Sequence, residues 1–479
     1  MAHTQMYIDG RWTGASGGGK LEVINPATEE AVDVVEYGGR AEASAALDAA
    51  QRAFETWKKA TAWQRGEFLK KAADLLRERA DDIARTMTME QGKPLAEAKG
   101  ETMVSAMTFE WFAEEGKRVE GRWAQTMDPL KRYLTMKQPI GVCAAISPWN
   151  FPLVLQARKI AASLAAGCTV VARPASQTPL SLIKMFECFE DVGLPPGVAN
   201  LVMGPPAEIV DEFMENPICR KISFTGSTEV GKELMRRAAD GVKRVSLELG
   251  GHAPVLIFDD VDPEQAARTA VTGKFRNNGQ VCISPTRFYI HESRRKAFTE
   301  AAVEFARKLK LGNGLDEGVE IGPMFEPKAL EKTKRLVDQA VKVGANVLAG
   351  GSRSTRFDKG YFFEPTVLDN LGTKADILTE EPFAPIMPIL SFEQIDEAIA
   401  KANDTIYGLA AYVMTNDLTT AIRMAEGLEY GIIGINDPVP AAVQSPFGGM
   451  KQSGIGRENS HEGIEPYLET KSVSFMLKS

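Results

Sequence analysis

The sequence is short of the residues that make metal and disulfide chemistry. Its 479 residues include 5 cysteines and 4 histidines. Cys143, Cys168, Cys188, Cys219 and Cys282 are odd in number, widely spaced and never in a CxxC pair. Neither a disulfide framework nor a zinc site of ordinary spacing is written in that pattern, so no metal is expected. Reduced thiols fit a cytoplasmic setting. No stretch reaches ~18 consecutive apolar residues, so no transmembrane helix and no membrane partner are expected. Residues 1–10 lack a charged segment followed by an apolar one, so no secretory signal is read there. Positive charge is not in excess either: 56 Lys and Arg against 64 Asp and Glu leave a net charge of −8. That balance argues against a general nucleic-acid binder, though not against a local anion pocket. The GxGxxG fingerprint is missing too, because Gly312-Asn313-Gly314 is followed by Gly318, one residue late.

What remains is ordinary globular composition, 44% hydrophobic and 25% charged. The length is about three times that of a typical domain, which predicts two or three domains. Gly14-Ala15-Ser16-Gly17-Gly18 matches the esterase GxSxG pattern in form only. Glycine and lysine follow where that elbow needs a helix, so the segment reads as a loop. From 41 to 119 the apolar spacing is helical, with Phe68, Leu69, Ala72, Leu75, Leu76, Ala80 and Ile83 on one face. This part reads as a scaffold of packed helices.

From 142 the rhythm changes. Strand-like runs at 142–146, 169–172, 200–202, 221–224 and 245–247 alternate with helical patterns at about 150–165, 180–192, 207–214 and 229–239. Such alternation predicts a doubly wound parallel sheet, with ligands at the carboxyl ends of its strands. A second α/β alternation begins near 254. Its helical patterns cover 263–275, 294–308, 327–343, 392–402 and 418–426. Its strand-like runs lie at 287–291, 347–349, 385–390, 410–414 and 432–435.

Four places carry chemistry. The segment from Gly226 to Lys232 matches GxxxxGK, but Glu233 stands where a P-loop needs Ser or Thr, which argues against an NTPase. Its strand, Gly226, Ser227 and helix still offer free N–H groups to a phosphate. Cys282 follows polar residues and is flanked by Arg276 and Arg287, positive charge that favours a thiolate. The other four cysteines stand in apolar surroundings and read as buried. Glu248 ends a strand before Leu249-Gly250-Gly251, and Asn150 lies in a sheet-end loop where its amide can donate to an oxyanion.

Taken together, these pieces resemble the aldehyde dehydrogenase superfamily from about Tyr7 to the end. The segments that carry the resemblance are Ser147-Pro148-Trp149-Asn150-Phe151-Pro152, Phe224-Thr225-Gly226-Ser227-Thr228, Glu248-Leu249-Gly250-Gly251, Gly279-Gln280-Val281-Cys282, Glu381-Pro382-Phe383 and Pro446-Phe447-Gly448-Gly449. The resemblance implies a cofactor-binding domain of residues 1–117, 138–249 and 437–460. It implies a catalytic domain of 250–436 and a small β oligomerisation element of 118–137 and 461–479. It further implies that Cys282 attacks the aldehyde, that Asn150 and the Cys282 N–H hold the oxyanion, and that Glu248 is the base that hydrolyses the thioester, with Lys159 handling protons. Trp149, Arg173, Ser176, Gly226, Ser227, Glu381 and Phe383 would meet NAD or NADP. NAD-preferring members commonly have Glu where Ser176 stands, so Ser176 beside Arg173 predicts that NADP is accepted.

Within the superfamily the likeness is to the succinate-semialdehyde and α-ketoglutarate-semialdehyde dehydrogenases. Arg158 and Arg276 align with arginines that bind a distal carboxylate there, and Ser284 joins the substrate residues. The loop 437–444 matches neither group well, since Ala441-Ala442 falls where a helping serine is usual. A small anionic aldehyde is therefore expected. Sulfolactaldehyde and a neutral hydroxyaldehyde such as lactaldehyde are the alternatives, and a thiol hydrolase or acyltransferase is the rival class. Homo-oligomers, dimer or tetramer, are implied.

Overall fold

The computed structural model describes residues 3–478. Its centre is an eight-stranded sheet in the order Gly454–Ile455, Arg244–Glu248, Cys219–Thr225, Val142–Ile146, Thr169–Arg173, Ala199–Leu201, Met6–Ile8 and Arg11–Thr13. The five strands from 244–248 to 199–201 run parallel. Strands 142–146 and 169–173 are buried along their whole length. Both faces are covered, so these strands are continuous apolar runs rather than alternating ones. The sheet is not purely parallel: 454–455, 6–8 and 11–13 close its edges antiparallel. The helix Val154–Ala166 lies buried at every position against this sheet.

A second sheet has the order Asn346–Ala349, Thr366–Asp369, Ile386–Phe392, Pro285–His291, Ala253–Ile257, Ala410–Met414 and Ile432–Ile435. It is parallel except for its first pair. Two of its strands, 253–257 and 366–369, escape the sequence reading. The first follows Glu248 after a gap too short for a helix, and the second has only two strongly apolar residues between Pro365 and Asp369. Phe392, read as the start of a helix, ends a strand instead. The helix Ile395–Asn403 begins after Gln394, which forms a capping box with Glu397. A third, antiparallel sheet joins Leu468–Met476, Lys131–Pro139 and Arg122–Gln125, with nine residue pairs from Leu468↔Pro139 to Met476↔Lys131.

The N-terminal helical region consists of Arg40–Trp57, Ala62–Glu78, Ala80–Gln91 and Leu95–Glu115. The last two are separated by Gly92, at φ 95°, and Pro94. The Ser16 loop is followed by a strand, and Ser16 Oγ donates to Glu42 Oε1 at 2.5 Å. No helix among the described residues is long and apolar enough to cross a membrane.

Candidate active site

The carboxyl edge of the first sheet collects polar groups, as the doubly wound rule requires. Asn150 follows strand 142–146, Arg173 ends the next strand, Ser227 follows 219–225, and Glu248 is the last residue of its own strand. Cys282 reaches the same place from the second sheet's side, on the loop ahead of strand 285–291. It is half-buried, whereas Cys143, Cys168, Cys188 and Cys219 are buried.

Cys282 lines a cavity of about 320 Å³ together with Phe151, Arg158, Arg276, Val281, Ile283, Val439, Ala441 and Phe447. Glu97, Glu101 and Val104 complete one wall. Asn150 is buried, and its Nδ2 donates to the Gln280 carbonyl at 3.1 Å. The thiol is pushed well above its usual range, first by burial and then by the Glu248 charge, with Arg158 opposing. Both Glu248 oxygens are buried without a hydrogen-bond partner. Burial, and next the charge of Glu458, raise this carboxyl to about 8. A group with that value exchanges protons near neutrality.

Lys159 donates to Thr225 Oγ1 at 2.6 Å and forms an ion pair with Glu458. Arg158 is 3.7 Å from Glu458 Oε2, and its guanidinium lies 4.1 Å from the centre of the Phe447 ring. The Arg158 Nε is buried with no partner. Arg276 stands over Phe151 at 5.2 Å and, among the described residues, has no hydrogen bond or ion pair to satisfy its guanidinium. Ser284 accepts from Lys274 Nζ at 3.3 Å and borders an adjoining cavity of about 300 Å³ that Arg276, Val281, Ile283 and Val439 line as well.

A dinucleotide has a fitting cradle on the other side of Cys282. Ser227 caps the helix Thr228–Ala238 by accepting from the Val230 N–H at 3.3 Å. Gly226 is needed there because a Cβ would collide with the Phe224 ring. Arg173 Nη2 and the Tyr37 hydroxyl each lie 2.9 Å from Ser176 Oγ, and Arg173 Nε is a buried donor without a partner. Trp149 stacks on Phe325 at 4.0 Å and meets Phe383 edge-on at 5.7 Å. Phe383 adopts φ 50°, a left-handed backbone that residues other than glycine rarely take. Glu381 Oε1 accepts from the Gly251 N–H at 3.1 Å, and burial raises its carboxyl to about 7. A Cβ at Gly250 would stand 2.7 Å from the other oxygen, so the glycine leaves that carboxylate its place. No group of His, Cys, Asp or Glu suited to a metal occurs among the described residues.

The sequence reading missed two sets of residues. Glu458 neighbours Glu248, Lys159 and Arg158, and its only written signal is its position just after the Pro446–Gly449 segment. Lys93 lies in the break between two helices, and Glu97 and Glu101 on the second of them, in a part read as mere scaffold. Their signal was the Gly92-Lys93-Pro94 break, which turns a charged stretch inward.

A half-buried thiol facing an unpartnered carboxylate, beside residues fit to hold a dinucleotide, defines a class: oxidoreductases that oxidise an aldehyde through a covalent cysteine adduct. The comparisons agree with this class. The model of the aldehyde dehydrogenase family matches residues 12–473, and the chain belongs to that family. It is an NAD(P)-dependent aldehyde dehydrogenase. The chain is 46% identical to glutarate-semialdehyde dehydrogenase of Pseudomonas putida, over 98% of this chain and 96% of that one. It is also 46% identical, over the same shares, to the NADP-dependent succinate-semialdehyde dehydrogenase of Escherichia coli. The solved structure of succinate-semialdehyde dehydrogenase from Burkholderia pseudomallei superposes with a TM-score of 0.97 at 45% identity, covering 99% of this chain and 98% of that one.

Proposed function

We propose that the enzyme oxidises a short aldehyde with an anionic group at its far end, a succinate semialdehyde-like substrate. The observation that carries this reading is the pair Arg158 and Arg276 in the cavity of Cys282. Arg276 has no hydrogen bond and no ion pair within 4 Å among the described residues, with the buried Glu97 carboxylate acting on it only through space, and Arg158 has only Glu458 at 3.7 Å. Two guanidiniums with donors to spare need an anion, and a carboxylate or sulfonate supplies one with charge-assisted bonds. The named relatives act on aldehydes of this kind. Val439 and Ala441 bring no hydroxyl to the cavity, so the anion is held by the arginines rather than by the 437–444 loop. This leaves sulfolactaldehyde as an alternative substrate with the same charge. Ser284 is not part of that grip in our reading; it orders the strand behind it.

In the reaction, Cys282 Sγ gives up its proton to solvent through the half-open cavity and attacks the aldehyde carbon as the thiolate, while Glu248, with both oxygens free, is kept for the second step. Asn150 Nδ2 and the Cys282 N–H hold the oxyanion of the thiohemiacetal. The nicotinamide, when bound, supplies the hydride acceptor. Ser227 would hold its pyrophosphate, Glu381 and Phe383 its nicotinamide end, and Arg173 with Ser176 the adenosine ribose or its 2′-phosphate. The thioester left on Cys282 is cleaved by water that Glu248 deprotonates, which releases the acid. Lys159, bonded to Glu458, passes the proton onward.

We also propose that the enzyme works in the cytoplasm as a homo-oligomer joined through the 118–137 and 461–479 element. The division into a cofactor-binding part (1–117, 138–249, 437–460) and a catalytic part (250–436) is supported by the membership of the two large sheets.

A steady-state panel tests the substrate reading. It would compare succinate semialdehyde, glutarate semialdehyde, sulfolactaldehyde and lactaldehyde, each with NAD and NADP, in the wild type and in Arg276→Ala. Bonds to charged groups contribute about 1.5–3 kcal/mol, so KM for the preferred anionic aldehyde should rise roughly ten- to hundredfold in the variant. An unchanged KM, or a preference for lactaldehyde in the wild type, would overturn the reading.

A further inference from the structure

We propose that the buried Lys93–Glu101 pair is a positioning device for the Asn150 amide, an inference that rests on Asn150 serving as an oxyanion donor. Lys93 has no exposed side-chain surface. Its Nζ donates to Glu101 Oε2 at 2.6 Å and to the Asn150 backbone oxygen at 2.7 Å. It also faces the Phe151 ring, 3.9 Å from the ring centre. The ammonium's three donors are thereby all directed at named targets.

Glu101 extends the clamp. Its other oxygen, Oε1, accepts from the N–H groups of Leu153 at 3.0 Å and Val154 at 3.1 Å. It therefore holds the first turn of the helix 154–166, which carries Arg158 and Lys159. From the opposite side, Asn277 Nδ2 donates to the same Asn150 oxygen at 3.1 Å and to the Gln280 oxygen at 3.2 Å. Gln91 Nε2 donates to Asn277 Oδ1 at 3.2 Å and so fixes which way that amide faces. Asn150 Nδ2 shares the Gln280 oxygen. The backbone of residues 150–154 is thus fixed at one oxygen and two N–H groups, with its catalytic amide tied to the loop that bears the thiol.

Stability alone does not call for such a pair. Removing two charges from water is costly, and an apolar pair of the same volume is often as stable. What the charges add is a fixed position for one amide. A misplacement of about 1 Å at the reacting centre costs on the order of a hundredfold in rate. Lys93 lines no part of the Cys282 cavity. It acts through Asn150 and is a positioning residue, not a catalytic one.

Lys93→Met alone would bury an unpaired Glu101, so the test uses Lys93→Met/Glu101→Gln. The amide oxygen that Glu101→Gln introduces still accepts from Leu153 and Val154, and no lone charge remains. Single-turnover formation of reduced nicotinamide, followed at 340 nm, should fall roughly ten- to hundredfold. KM for the aldehyde should stay within about threefold, because Glu101→Gln keeps its place in the cavity wall and its bonds to the helix that carries Arg158. Alkylation of Cys282 by iodoacetamide should keep its wild-type rate. In an Asn150→Ala background the same double change should add less than about twofold, since the group it positions is gone. A wild-type single-turnover rate in Lys93→Met/Glu101→Gln overturns the proposal. So does the full loss recurring on top of Asn150→Ala, or alkylation slowing in step with turnover. If Asn150→Ala itself keeps the wild-type rate, the oxyanion reading has failed, and that result is distinct from a fast clamp variant beside a slow Asn150→Ala.

Discussion

Arg173 Nη2 donates to Ser176 Oγ at 2.9 Å, which leaves the Arg173 Nε as a buried donor with no partner. A glutamate at 176 would occupy Arg173 and set a negative charge where a 2′-phosphate has to lie. Ser176 does neither. NADP should therefore be used with a kcat/KM no more than about a thousandfold below that for NAD, and Ser176→Glu should lower the NADP value about tenfold or more while sparing NAD. Steady-state kinetics with both cofactors decide this. An unchanged ratio in Ser176→Glu would mean that the ribose binds elsewhere.

The Glu248 carboxyl titrates near 8 because it is buried and because Glu458 repels its charge. A base works only when ionised, so kcat should rise with pH up to about 8 and level off above. Glu458→Gln removes a repulsive charge and leaves the Lys159 charge unopposed. Both changes favour the carboxylate, so the midpoint should move to lower pH. A midpoint that stays put, or moves up, would contradict this account of the shift.

Glu248→Gln separates the two halves of the reaction. Gln cannot accept a proton from water, so the thioester on Cys282 should accumulate. The expected trace at 340 nm is one equivalent of reduced cofactor per active site, then a steady rate lowered on the order of 10²–10⁴-fold. Mass spectrometry of the quenched protein should find the acyl adduct on Cys282. Continuous turnover at the wild-type rate would remove Glu248 from the hydrolytic step.

How much of this could be read beforehand depended on whether a residue's own neighbours in sequence determine its place. The helix 263–275 and the strands 410–414 and 432–435 were legible because apolar periodicity reports burial directly. Cys282, Glu248 and Asn150 were legible as candidates because strand ends and glycine turns mark a sheet's carboxyl edge. Lys93 was not. A lysine among Glu90, Gln91, Lys99 and Glu101 looks like part of a solvated face, and only the packing of the 92–94 break and the helix Leu95–Glu115 onto the 150–154 segment makes it internal. Glu458 was hidden for the same reason, since it meets Lys159 from 299 residues away. Ser284 shows what its own neighbours in sequence leave open: it is near the thiol, its hydroxyl meets Lys274, and it borders a cavity that Arg276 also lines.

The three-stranded sheet carries the last prediction. Trp123 is 62% exposed and Phe475 40%, and their rings stack with centres 6.1 Å apart. Met127 and Met476 are exposed on the same element. Isolated exposed apolar groups are common, but large ones gathered on one sheet fit the surface through which we propose that the chains of the homo-oligomer meet. The pairing of strand 468–476 with 131–139 does not depend on these side chains, because its nine residue pairs are joined through the backbone. Trp123→Glu/Phe475→Glu should therefore leave the chain folded while preventing association. Light scattering after size-exclusion chromatography should find a smaller assembly than in the wild type, with an unchanged far-UV circular dichroism spectrum. An unaltered mass would mean that the chains meet through another face.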